Sequence, residues 1–120
     1  MKVTTIVSLQ MAPTLAGQST INTGNTTHIE TTVGEEISEG IQAIGTSEEA
    51  ITIPTDLGTV GKIWMKNLDL TNFVDYGAVT LQLPFRLNPL EAVVIRLATQ
   101  GLFLKADGAE IRLEYKMFEV

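Results

Sequence analysis

The residues best placed to do chemistry are Asn67, Asp69 and Thr71, which set oxygen atoms at alternate positions with Asn72 adjacent and Asp75 close behind. Calcium accepts irregular oxygen shells of this kind. The run departs from a helix–loop–helix calcium loop, because Asn72 rather than glycine fills its sixth position and Ala78 rather than glutamate its twelfth. The structural alternative is a strand end whose Asx side chains bond nearby backbone N–H groups. His28 is the single histidine, with Glu30 two residues on. That pair offers two metal ligands where a zinc site needs three or four. A Ser-His-acid triad would need the same histidine, and no Gly-x-Ser-x-Gly elbow accompanies it. Glu35-Glu36 and Glu48-Glu49 are adjacent carboxylates, which strands send to opposite faces, so neither pair makes an acid–base dyad. Gly58 and Gly61 lack the third glycine and the following helix of a dinucleotide site. No catalytic residue, metal ligand set or cofactor site is therefore assigned, and the expectation is a chain that is not an enzyme.

The aromatic residues point to contact instead. Trp64 lies in one alternating set with Lys62, Lys66 and Leu68, opposite Ile63 and Met65. A tryptophan between lysines can anchor a protein interface, stack on a sugar, or be buried in a strand covered on both faces. Trp64, Tyr76 and Phe73 are the candidate interface or ligand residues. Asn25-Thr26-Thr27 matches a glycosylation acceptor, but without a secretory signal it reads as a chance tripeptide.

Composition narrows the function classes. The 120 residues fit one domain, with 44% hydrophobic residues and 18% charged ones, fewer charges than the roughly 25% of an average soluble domain. Eight Lys and Arg against fourteen Asp and Glu give a net charge of −6. The cations are scattered singly along the chain, without the basic stripe that counterion exchange on nucleic acid demands. No nucleic-acid partner is expected. Cysteine is absent, which removes disulfides and thiolate chemistry. The first residues lack the apolar run of a secretory signal, and no stretch approaches the twenty apolar residues of a membrane span. A product made in the cytoplasm, without a membrane partner, is the expectation.

The elements that must position these side chains are strands. Val79, Leu81, Leu83, Phe85 and Leu87 alternate with polar residues, as do Val93, Ile95 and Leu97 and then Ile111, Leu113, Tyr115 and Met117. A period of two assigns each set to one sheet face. Strands are expected at about 3–11, 26–33, 37–44, 50–53 and 60–68, with a long one at 79–87, and then at 92–98, 102–105 and 110–120; residues 73–75 could form a further short one. Pro84 marks the long strand as an edge or a bulge. A polar loop or arm spans 14–25, and Gly34-Glu35-Glu36 is a turn. Thr46 to Ala50 could form one helical turn capped by Ser47. Asn88-Pro89-Leu90-Glu91 is a turn with proline second, and Asp107-Gly108 resembles a hairpin dipeptide. Eight or nine short strands with regular turns predict a single antiparallel β-sandwich, jelly-roll-like, over 1–120.

The stretch 37–118 resembles a group of small bacteriophage virion proteins. The resemblance is carried by Glu39-Gly40-Ile41-Gln42-Ala43-Ile44-Gly45-Thr46-Ser47-Glu48-Glu49-Ala50, by Gly61-Lys62-Ile63-Trp64-Met65-Lys66-Asn67-Leu68-Asp69, and by Thr71-Asn72-Phe73-Val74 with Tyr76-Gly77. Phe85-Arg86-Leu87-Asn88-Pro89-Leu90-Glu91 follows, and Lys105-Ala106-Asp107 leads to Leu113-Glu114-Tyr115. Leu90 stands where such proteins usually carry a turn glycine. The resemblance implies a structural, non-enzymatic virion component of the capsid decoration, head fibre or tail adaptor type. It implies self-assembly, with a homotrimer as the expected state and other virion proteins as partners. The alternative is a β-sandwich module that binds carbohydrate or another ligand through Trp64, Tyr76 or the loops. A small cupin-type enzyme is a third class, opposed by the single histidine where cupins use several as metal ligands.

Overall fold

The computed structural model describes residues 2–11, 21–31 and 37–119. The protein is all-β, with ten strands and no helix among the described residues. They are β1 (Lys2–Met11), β2 (Ile21–Thr31), β3 (Ile37–Ile44), β4 (Glu49–Ala50), β5 (Val60–Asn67), β6 (Val74–Gly77), β7 (Phe85–Leu87), β8 (Ala92–Arg96), β9 (Phe103–Ala106) and β10 (Ile111–Glu119). Ten strands stand where eight or nine are expected. The chain divides into two compact units, Met1–Val33 and Gly34–Val120.

The first unit contains one antiparallel hairpin, β1 against β2, in register from Lys2 opposite Thr31 to Met11 opposite Ile21. The register shifts between Ser8 and Gln10, where Thr23 and Gly24 of β2 stand against the single residue Leu9 of β1, a bulge in β2. β2 begins at Ile21, so residues 21–25 of the expected polar arm are strand, paired with β1. The rest of that arm, residues 14–20, and the turn at 34–36 lie outside the described residues.

The second unit is a β-sandwich of two four-stranded antiparallel sheets, ordered β3-β10-β5-β8 and β4-β9-β6-β7. The pairings are nested: β3 with β10, β4 with β9, β5 with β8, and β6 with β7. This unit is thus one long antiparallel ribbon folded at the β6–β7 connection and rolled so that alternate pairs fall in opposite sheets. One sheet contributes Ile44, Ile63, Met65, Leu113 and Met117 to the core, and the other Val74, Tyr76, Leu87 and Leu104; all belong to a single buried cluster. Each fully buried aliphatic side chain of this kind contributes about 1.5–3 kcal/mol.

Three local expectations are corrected. Residues 79–87 do not form one strand, since Gln82 N–H donates to Val79 O at 3.0 Å and the chain turns back on itself before β7. Gly77 permits this, because a Cβ there would overlap the Gln82 carbonyl oxygen. The Asp107-Gly108 turn does not close a hairpin: β9 pairs with β4 and β6, β10 with β3 and β5, and the turn carries the chain between sheets. Residues 46–47 form a bend and Glu49–Ala50 a strand rather than a helical turn, with the Glu49 carboxylate accepting from Gly45 N–H at 3.2 Å. By contrast, Pro84 does precede an edge strand, β7.

Candidate functional site

The oxygen-rich run at 67–72 closes on itself. Asn67, with no exposed surface, accepts from Asp69 N–H through Oδ1 at 2.9 Å and donates through Nδ2 to Asn72 O at 2.9 Å and Leu87 O at 3.3 Å. Asp69 Oδ2 accepts from the backbone N–H groups of Thr71 and Asn72 and from both side chains. Those bonds, with the Asn72 and Thr71 backbone donors foremost, hold the Asp69 carboxyl below its ordinary value. Asn67 Oδ1, Asp69 Oδ2 and Thr71 Oγ1 are thus engaged with donors of the turn. Among the described residues no group of three or more His, Asp and Glu side chains is arranged to hold a metal ion. His28 lies on β2, exposed and opposite Thr5.

The three candidate aromatics occupy three different places. Tyr76, on β6, points into the sandwich and packs 5.5 Å from the Phe85 ring. Both line a largely apolar cleft of about 400 Å³ with Ile95, Leu97 and Leu102. Burial, and secondarily the charge of Glu91, pushes the Tyr76 hydroxyl pKa up, which keeps it a neutral hydrogen-bonding group. Phe73 sits on the outer side of the β4-β9-β6-β7 sheet beneath Arg86, whose guanidinium lies 3.5 Å from the ring centroid. Arg86 also grips Asp75 through two bonds of 2.8 and 3.2 Å, and this hydrogen bonding raises its already high pKa. These contacts brace the β6–β7 pair.

Trp64 faces outward from β5, because Ile63 and Met65 on either side are wholly buried. Across the β3-β10-β5-β8 sheet its row reads Glu39, Lys116, Trp64, Val94. The rows flanking it are Ile37, Phe118, Lys62, Arg96 and Ile41, Glu114, Lys66, Ala92, with Arg112 beside Ala43 beyond. Lys116 Nζ stands 5.3 Å from the Trp64 ring centroid. Five of the eight Lys and Arg residues therefore share one sheet face with two carboxylates. In the sequence these cations look isolated. The signal that joins them is the even, four-residue spacing of Lys62/Lys66 and Arg112/Lys116, which puts each pair on one face of its strand and becomes legible once β10 is known to lie beside β5.

Comparison with family models, with curated proteins and with solved structures found no match to this chain.

Proposed function

We propose that this chain is a non-enzymatic structural protein of a bacteriophage virion, a capsid decoration or tail-associated subunit that assembles as a homotrimer and binds other virion proteins. The observation that carries the reading is the β1–β2 hairpin. Two strands alone are marginally stable in water, yet this hairpin is ten and eleven residues long. Its apolar side chains are exposed on both faces, with Ile6 and Val7 each 61% exposed and Ile29 58%. Apolar surface of that kind is stabilised by burial against another chain. The nested strand order supports the reading too, being compatible with a jelly roll, an architecture that capsid and lectin domains share. The resemblance of residues 37–118 to small virion proteins supplies the biological setting, a particle assembled in the host cytoplasm.

Size-exclusion chromatography with light scattering tests the proposal. The expected mass is that of three chains, and Ile6→Lys with Val7→Lys should release monomers that keep their β-sheet circular dichroism. A wild-type chain that stays monomeric at high concentration overturns the reading. The carbohydrate-binding alternative has less support, because Lys116 stands over one face of the tryptophan ring on which a sugar would stack.

A further inference from the structure

The outer face of the β3-β10-β5-β8 sheet carries a charge opposite in sign to that of the chain as a whole. Lys62, Lys66, Arg96, Arg112 and Lys116 lie on it against Glu39 and Glu114. The rest of the chain holds three cations and twelve carboxylates. Four of the five cations are exposed or half-exposed, while Lys62 is nearly covered. Between the charges stand Trp64, Phe118 and the exposed aliphatics Ile37, Ile41 and Val94. Aromatic, aliphatic and arginine side chains interleaved on a flat sheet make the composition of a protein interface. A sugar platform needs open aromatic rings rather than exposed β-branched aliphatics.

We infer that this face docks the carboxylate-rich surface of a second copy of the same chain. The partner is set by charge. Symmetric pairing of two copies through this face is opposed by charge, since it would bring five cations and two carboxylates against the same set. An acidic partner surface is required, and twelve of the fourteen carboxylates of every copy lie outside this face. A contact between two different surfaces is heterologous, and a heterologous contact is what closes a ring of three, whereas a like-on-like contact gives a dimer. This inference rests on the self-assembly proposed above and adds to the β1–β2 hairpin a second surface that takes part in it.

Sedimentation velocity of the full chain tests it, at salt concentrations from about 20 mM to about 500 mM, across which the screening length falls from roughly 20 Å to roughly 4 Å. Association should weaken with salt. Arg112→Glu with Lys116→Glu should weaken it by roughly tenfold or more at low salt, and Lys116→Gln less. Lys105→Glu, a single charge reversal on the other sheet, should leave it near the wild-type value. Circular dichroism and thermal melts confirm that each variant is folded. Oligomers that ignore both salt and the paired reversal, yet dissociate in the Ile6→Lys/Val7→Lys chain, overturn this inference and leave self-assembly standing. A wild-type monomer at every salt concentration overturns both. A wild-type monomer that is retained by heparin through Lys116 overturns it in favour of an anionic glycan.

Discussion

Asn67 and Leu87 are joined by a hydrogen bond from the Asn67 side chain to the Leu87 carbonyl at 3.3 Å, made where Asn67 has no exposed surface. That bond links the end of β5 in one sheet to the end of β7 in the other. The same residue binds Asp69 and Asn72 through its side chain, and its backbone pairs with Glu91 and Leu90. One buried amide thus organises the 67–72 loop and the 88–91 turn together. Asn67→Leu would leave the Asp69 N–H and the Leu87 carbonyl without their partner. At about 1 kcal/mol for each lost bond, and more for any group left buried and unsatisfied, a loss of about 2–4 kcal/mol is expected in urea unfolding. Asn67→Asp should cost a similar amount, because a carboxylate cannot donate to Asn72 and Leu87.

Leu90 adopts the left-handed conformation, φ 66°, at the third position of a turn closed by Glu91 N–H donating to Asn88 O at 3.1 Å. Glycine would sit there without the Cβ clash that costs other residues about 1–2 kcal/mol. Because Leu90 is largely exposed, Leu90→Gly gives up little burial. After the entropy of freeing a glycine in the unfolded chain, a net gain of up to about 1 kcal/mol should appear as a higher melting temperature. Gly77→Ala should do the reverse and lower it, since its Cβ would meet the Gln82 carbonyl and Pro84. A Gly77→Ala protein as stable as wild type would refute the account of the 77–84 turn.

Asp69 links the same loop to pH. Its folded carboxyl titrates below the ordinary 3.8, chiefly because the Asn72 and Thr71 backbone N–H groups bond the charged form. A depressed carboxyl stabilises the fold fully above its unfolded value and progressively less as the pH falls below it. Acid unfolding should therefore include a contribution that sets in below about pH 4. Asp69→Asn should remove it, lowering stability at neutral pH while flattening the acid limb of the profile. An acid limb of unchanged steepness in Asp69→Asn would contradict this.

Sequence pattern and structure agree where a strand is long and covered on one face. The alternation at 111–117 places Ile111, Leu113 and Met117 in the core as their spacing requires. The pattern misleads at 79–87, where Val79 and Leu81 keep the rhythm of a strand while exposed in a turn, Leu81 to 87%. Nothing in a period of two distinguishes a buried face from a loop that carries apolar side chains to solvent. It is silent again at Asp107-Gly108, where local turn chemistry looks the same whether the next strand joins the same sheet or the opposite one. The candidate site is hidden for a related reason. Trp64 and Lys116 are 52 positions apart in the chain, and only the β5–β10 pairing sets them opposite each other. Alternation fixes which side of a strand a residue faces, whereas neighbours across strands depend on the order of the sheet.

That adjacency also provides a direct spectroscopic reading of the docking face. Trp64 is the sole tryptophan, so intrinsic emission excited at the indole band reports this face alone. In the free chain its ring is half-exposed with the Lys116 ammonium nearby. Docking of an acidic surface would exclude water from the indole, and emission should move to shorter wavelength as protein concentration rises. Raising the salt should reverse that shift in parallel with dissociation, since screening weakens the attraction between the two surfaces. The Arg112→Glu/Lys116→Glu chain should show the long-wavelength emission at every concentration. Emission that stays constant while the sedimentation coefficient grows would mean that the copies meet somewhere else, because a partner covering Trp64 cannot leave its solvent environment unchanged.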